Sequence, residues 1–341
     1  MRTDRICIVF LACVFCVSSM LAQIARNNVD PASSGETVAG QSLGFCQIPS
    51  PPNVNQLALL RWYSANVTTM FSLGSGPLGM AFDGSSMWVV NEGNNSVSKL
   101  RASDGAVLGT FPAGNNPGYA AFDGANVWVT DSAENNVSKL RASDGANVGT
   151  FPTGTLPWGI AFDGTSIWVG NILDSTVSKF RPTDGALLGV FPAGRYPISM
   201  AFDGSSLWVT NQGGANTVTK LRASDGALLG TFSVGNNPVG VTFDGSTIWV
   251  ANSGSNTVTR YRASDGLLLG TFRVGSRPQF IAFDGANVWI TNEGSNNVTK
   301  LRACDGGLLG TFDAGNLPTG VAFDGANVWV SNPRSDTVSK M

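Results

Sequence analysis

The sequence predicts an all-β protein, a seven-bladed β-propeller of four-stranded antiparallel blades, and three observations carry that expectation. The word Phe-Asp-Gly begins at Phe82, Phe122, Phe162, Phe202, Phe243, Phe283 and Phe323, so the gaps are 40, 40, 40, 41, 40 and 40 residues. A tryptophan follows each Phe by six residues, at Trp88, Trp128, Trp168, Trp208, Trp249, Trp289 and Trp329. No stretch shows the apolar stripe of a helix; short β-branched runs alternate with Gly, Asn, Asp and Pro. A fixed period of this size belongs to solenoids, arrays and propellers, and four short strands per copy is what a propeller blade needs.

Taken from the N-terminus, MRTDRICIVFLACVFCVSSMLAQ has a signal-peptide layout: Arg2 and Arg5, an apolar run from Ile6 to Val17, then small residues and Ala22. The run is too short to span a bilayer comfortably. Phe10-Leu11-Ala12-Cys13 is a poor lipid-attachment box. Cleavage after Ala22 makes residues 1–22 the leader and the mature protein secreted or periplasmic, without membrane insertion. Residues 23–60 are mostly polar and small and end near the turn-rich Pro49-Ser50-Pro51-Pro52, so loose order is expected there. Residues 61–341 are the propeller. Three of the five cysteines lie in the leader; Cys46 and Cys304 remain, and spacing alone leaves open whether they form one bridge or stay separate thiols.

Each repeat supplies its strands in the same order. The first, of the type Gly240-Val-Thr-Phe243, ends in Asp244-Gly245, a pair suited to tight hairpins. The second, Thr247-Ile-Trp-Val-Ala251, is apolar and β-branched. A loop such as Ser253-Gly-Ser-Asn256 leads to the alternating third strand, Thr257 to Arg262, which stops at a second Asp-Gly pair. The fourth is Leu267 to Phe272, and a Gly/Asn/Pro link opens the next copy. The last copy stops inside its third strand at Asp336–Met341, while Asn66–Gly74 lies over the fourth-strand word Ala227–Gly235. The two ends are therefore expected to complete one blade and close the ring. Closure protects sheet edges that would otherwise invite aggregation. Phe and Trp are expected in the seams between blades, and the small residues beside each Phe (Ala81, Ala121 and their counterparts) where blades crowd toward the axis.

Composition narrows the chemistry. The chain is 43% hydrophobic and 13% charged, with a formal net charge of −2, so nothing marks a nucleic-acid groove. There is no histidine, which removes Ser-His-Asp and Cys-His catalysis and His-ligated zinc. No cofactor is expected. Gly74-Ser-Gly-Pro-Leu-Gly79 matches a dinucleotide fingerprint only in letters, because a strand follows it instead of a helix.

Comparison among the copies locates a site. The Asp-Gly turns of one rim barely change. The other rim, carrying the second-to-third loops and the blade links, varies, and loops on a rigid scaffold are the usual place for binding. Tyr119 and Phe280 stand in a column that is Gly79, Gly159, Gly240 and Gly320 in four other copies and Ser199 in one. Trp158, Arg195, Tyr196 and Arg277 are exceptions to their own columns, and aromatic and arginine side chains are enriched at binding hot spots. Tyr119, Trp158, Arg195, Tyr196, Arg277 and Phe280 are therefore the candidate ligand-binding residues; no residue is assigned as catalytic or as a metal ligand. The Asn/Asp ring at the end of the second strand (Asn91, Asp131, Asn171, Asn211, Asn252, Asn292, Asn332) would bind a cation only if its oxygens converged, and a local bonding role is the plainer reading.

The words Gly-x-Ala-Phe-Asp-Gly, x-x-Trp-Val-x-Asn, Asn-x-Val-x-Lys and Asp-Gly-x-Leu-Leu-Gly-Thr-Phe, with Asn-Asn-Pro between copies, resemble the YVTN family of β-propeller repeats, Trp208-Val-Thr-Asn211 being that signature with Trp for Tyr. NHL-type and streptogramin-lyase propellers are looser relatives of the pattern. The resemblance implies the fold and an extracellular location, and leaves activity open. Streptogramin lyases are expected to use a histidine, which this chain lacks. The sequence thus reads as an exported, monomeric, non-catalytic scaffold that holds a protein or small ligand at its variable rim and channel mouth. The alternatives are a metal-assisted lactonase or lyase using mouth Asp, Glu and Asn, and a structural cell-surface module.

Overall fold

The computed structural model of the protein describes residues 68–341. The leader, residues 23–60 and Cys46 lie outside the described residues. Among the described residues no helix is long and apolar enough to cross a membrane. Strand β1 is Thr69–Ser72, and β2 (Pro77–Phe82), β3 (Ser86–Asn91), β4 (Ser96–Arg101) and β5 (Val107–Pro112) form blade 1 in that order, all antiparallel. Five further four-stranded sheets repeat this meander, blades 2 to 6, ending at Asp313. Blade 7 takes Val321–Phe323, Val328–Asn332 and Thr337–Lys340 from the C-terminal end and its outer strand from β1. Phe71 lies opposite Val338 and Ser72 opposite Thr337, so the two ends complete one sheet as the sequence predicts. The innermost strands of successive blades pack side by side, and that of blade 7 packs against β2, which closes the seven-bladed ring.

The repeated words act as clamps. Asp83 accepts backbone N–H bonds from Ser85 (2.8 Å) and Ser86 (2.7 Å), and its second oxygen accepts the Trp88 indole N–H at 2.8 Å. The same Asp-to-Trp bond recurs at 2.7–2.8 Å in the other six blades. The turn aspartate thus both makes the hairpin and fixes the ring that fills the seam. Trp88 joins Val90 and Val97 against Val127, Val129 and Leu140 of the next blade, with the Phe111 ring 5.5 Å from its own. Lys99 crosses the same seam: its Nζ sits 5.0 Å from the Trp88 ring and donates to the Ala142 carbonyl at 2.7 Å. The third-strand cations are seam rivets, while arginines such as Arg101 pair with their own turn aspartate (Asp104, 2.9 Å). In blade 5 the rivet is Arg260, whose guanidinium donates to the Cys304 carbonyl at 2.9 Å. Cys304 itself is disulfide-bonded.

Crowding near the axis falls on a different column from the one expected. The alanines beside each Phe sit in the seams. The glycines three residues before each Phe are the ones pressed against a neighbouring backbone: a Cβ on Gly159 would lie 2.4 Å from the Ile198 carbonyl oxygen, and one on Gly320 2.2 Å from that of Leu78. Only glycine lets strands approach so closely.

Candidate functional site

The channel mouth is built from three columns of the repeat. The innermost is the column Gly79, Tyr119, Gly159, Ser199, Gly240, Phe280, Gly320. Above it lies the residue that follows each link proline: Leu78, Gly118, Trp158, Ile198, Val239, Gln279, Thr319. Outermost is the residue that follows each second-strand Asn/Asp: Glu92, Ser132, Ile172, Gln212, Ser253, Glu293, Pro333. Members of all three columns, with Leu156 from a link, line a cavity of ≈ 440 Å³ on the variable rim. That volume lies within the range of ligand pockets.

The floor is aromatic. Tyr119 and Phe280 belong to blades 2 and 6, and their rings meet across the axis with centroids 4.8 Å apart. Trp158 stands edge-on to Tyr119 at 5.5 Å. The Tyr119–Phe280 pair separates the mouth from a smaller chamber of ≈ 130 Å³ deeper in the channel, lined also by Ser199 and the axial glycines. Burial, helped by the nearby Glu92 charge, pushes the Tyr119 hydroxyl well above its ordinary range, so it stays protonated at any physiological pH.

What holds these rings at the axis is an alternation around the ring. In blades 2, 4 and 6 the axial residue is Tyr119, Ser199 or Phe280, and the second strand carries Thr130, Thr210 or Thr291. Each threonine hydroxyl accepts the backbone N–H of its axial residue at 3.0–3.1 Å. Each donates to a carbonyl of the following blade: Trp158 at 2.9 Å, Val239 at 2.7 Å, Thr319 at 2.6 Å. Blades 1, 3 and 5 have glycine at the axis and Val90, Gly170 or Ala251 in place of threonine. Bulky axial side chains are thus flanked by glycines that make room for them.

The wall is apolar except at Gln212 of blade 4, at Thr319 of blade 7 and on the side of blade 6. Leu78, Ile172, Ile198 and Val239 line most of it. Glu293 accepts from Gln279 Nε2 at 2.5 Å, and the exposed Arg277 guanidinium lies 3.1 Å from the same carboxylate oxygen. Glu92 holds the corresponding position on blade 1; it is half-buried, and burial raises its carboxyl above the usual range.

Of the six candidate residues, the structure brings Tyr119, Trp158 and Phe280 together in the cavity. Arg277 reaches the cavity only through Glu293. Arg195 and Tyr196 pair with each other on the rim, guanidinium over ring at 4.8 Å, and do not line the cavity. Tyr119 and Phe280 belong to blades well apart around the ring, yet their rings touch, because nearly opposite blades point at each other across a narrow axis. Gln279, Glu293 and the apolar wall are not among the six residues expected from the sequence. Their signal was available: they fill the columns directly after the repeated Pro and the repeated Asn.

The Asn/Asp ring does not converge. Each member is fully buried and bonded locally, as where Asn171 donates to Thr176 and Ser178 and accepts from Gly154 N–H. Asp131 takes the same place in blade 2, accepting from Gly114 N–H at 3.0 Å and from the Ser138 hydroxyl at 2.5 Å. Burial pushes its pKa up to about 6, against those two hydrogen bonds and with the Glu134 charge adding to the rise. Among the described residues no three His, Cys, Asp or Glu side chains gather to hold a metal.

No family model matches the chain, and no curated protein matches its sequence. Solved structures do. Hydrazine synthase of Kuenenia stuttgartiensis aligns with a TM-score of 0.70 at 20% identity, over 78% of this chain and 95% of that one. A streptogramin B lyase structure aligns with a TM-score of 0.69 at 21% identity, over 80% of this chain and 96% of that one. These are likenesses of fold.

Proposed function

We propose that the protein is an exported, monomeric propeller scaffold of the YVTN type that binds a small, largely apolar molecule in the mouth of its channel. The observation that carries this reading is the ≈ 440 Å³ cavity floored by Trp158, Tyr119 and Phe280. Convergent aromatic surface with a few placed polar groups is the usual make-up of a ligand pocket. Backbone strain on the rim supports it. Leu156, Tyr196, Arg277 and Leu317 sit at left-handed φ of 53–57°, in the turn position held by glycine or asparagine in the other blades. Large side chains kept at such a position cost backbone energy, which suggests display.

The test is a soluble-ligand screen read by thermal shift, followed by Trp158→Ala and a Tyr119→Ala/Phe280→Ala double variant. Ligands that stabilise the native protein are expected to lose at least tenfold in affinity in the Trp158 variant, with its unliganded melting temperature nearly unchanged. Hits whose binding ignores both variants would reject the site, and lactone turnover by metal-loaded protein would replace scaffold with enzyme.

A further inference from the structure

Resting on that reading of the mouth, we infer that the ligand is a monocation: a small aromatic or otherwise apolar amine whose ring lies on the Trp158–Tyr119–Phe280 floor and whose ammonium faces the side formed by blades 6, 7 and 1. The charge pattern of the three columns points there. The outermost column contains two carboxylates, Glu92 and Glu293, and all three columns together contain no lysine or arginine. The second column is apolar or glycine from blade 1 to blade 5 and polar only at Gln279 and Thr319. Gln212 of blade 4 is the polar lining residue on the other side and is neutral, so the charge of the three columns lies only toward blades 6 and 1.

Glu293 lines the cavity, whereas Glu92 stands outside its lining. Glu293 is already paired with Arg277 at 3.1 Å and accepts from Gln279. Among the described residues Glu92 has no side-chain hydrogen-bond or ion-pair partner, although Asn91 and Asn94 beside it are bonded. Its charge still reaches the Tyr119 hydroxyl. A half-buried carboxylate without a partner is costly in the empty site and is relieved by an incoming cation. An anionic ligand would meet the same carboxylate with repulsion, and a dication would exceed the charge available.

An isosteric set of indoles separates this inference from the reading beneath it. Tryptamine, tryptophol and indole-3-propionate present one ring with a cationic, neutral or anionic tail. Calorimetric titration of the full chain at pH 7.5 and low salt is expected to order them tryptamine, tryptophol, indole-3-propionate, with about three- to tenfold between the first two. Glu92→Gln should abolish that gap while leaving tryptophol unchanged. Arg277→Ala should widen it by freeing Glu293. The gap should also shrink as salt rises through the physiological range. Equal affinity for amine and alcohol, tighter binding of the acid, or a preference that survives Glu92→Gln overturns the inference and leaves the pocket standing. If none of the three indoles binds, the pocket reading and the inference fail together.

Discussion

Asp131 gives the sharpest test of how this ring holds its loops. Six blades end the second strand with asparagine and one with aspartate, and the position is fully buried in all seven. The asparagines donate through their amide nitrogen to the third strand, and Asn171, which bonds Ser178 (2.9 Å), also accepts from the link Gly154 N–H (3.0 Å), while among the described residues the amide oxygens of the other five have no hydrogen-bond partner. Asp131 keeps the acceptor half, and at its other oxygen the Ser138 hydroxyl becomes the donor. A protonated carboxyl replaces the amide at little cost, whereas a charged one must be carried in a buried site beside Glu134. The folded pKa of about 6 against an ordinary 3.8 is a rise of about two units, or on the order of 3 kcal/mol.

The sign follows from linkage. Because the folded pKa is raised, the stabilisation associated with the protonated carboxyl is fully present below about pH 4 and is lost as pH climbs through about 6. Asp131→Asn removes the titration and restores the bonding pattern of blade 3. The variant is therefore expected to match the wild type near pH 4 and to exceed it at pH 8, by on the order of 5–10 °C in melting temperature for a chain of this size. Scanning calorimetry of both proteins at half-unit steps from pH 4 to 8 reads the difference directly, and titrating groups that do not interact with Asp131 cancel in the subtraction. Glu134→Gln in the wild-type background should narrow the difference at pH 8. A gain that is the same at every pH, or no gain at pH 8, refutes the account.

Three further outcomes follow from the same geometry. Asp163→Asn should cost a few kcal/mol at pH 7, because Trp168 and two turn N–H groups lose a charged acceptor. Since the folded pKa of Asp163 is lowered, that cost should fade as pH drops below the ordinary carboxylate range, as urea melts at pH 7 and 3 would show. Gly159→Ala should destabilise far more than Gly84→Ala: the first drives a Cβ into a backbone oxygen at 2.4 Å, while the second meets nothing within 4 Å and carries only the strain of φ +93°, on the order of 1–2 kcal/mol. Thr210→Val, near-isosteric, should cost about 1–3 kcal/mol by stranding the Ser199 N–H and the Val239 carbonyl, readable as a lower denaturation midpoint with unchanged slope.

Much of the scaffold was legible because a repeat compares itself with itself. Forty-residue spacing, the Phe–Trp pairing and the overlap of Asn66–Gly74 with a fourth-strand word were enough to place every blade and to join the ends. Aromatic exceptions to the axial column were visible for the same reason, and Tyr119, Trp158 and Phe280 do share one cavity. Two things needed the closed ring. One is which exceptions face inward: Arg195 and Tyr196 break their columns as plainly as Trp158 does, yet they turn to each other on the rim. The other is that blades 2 and 6, remote along the chain, are nearly opposite in a circle of seven, so that two side chains meet on the axis.

The alternation shows why the ring must be treated as a whole. A strict two-blade pattern, glycine contact at one seam and threonine bridge at the next, cannot close around an odd number of units. It has to fail once, and it fails at blade 7. That blade carries both devices, Gly320 at the axis and Ser331 on the second strand. Both act on one atom of blade 1: the Ser331 hydroxyl donates to the Leu78 carbonyl oxygen at 2.7 Å, and a Cβ on Gly320 would lie 2.2 Å from it. Ser331 also takes the Gly320 N–H at 2.8 Å, as the threonines take theirs. Blades 7 and 1 thus meet with no axial side chain, between Phe280 of blade 6 and Tyr119 of blade 2, on the side of the ring that carries Glu293 and Glu92. The ring's one irregular seam and the two outermost-column carboxylates thus share one side of the circle, and the irregularity itself follows from fitting an alternating pattern to seven blades.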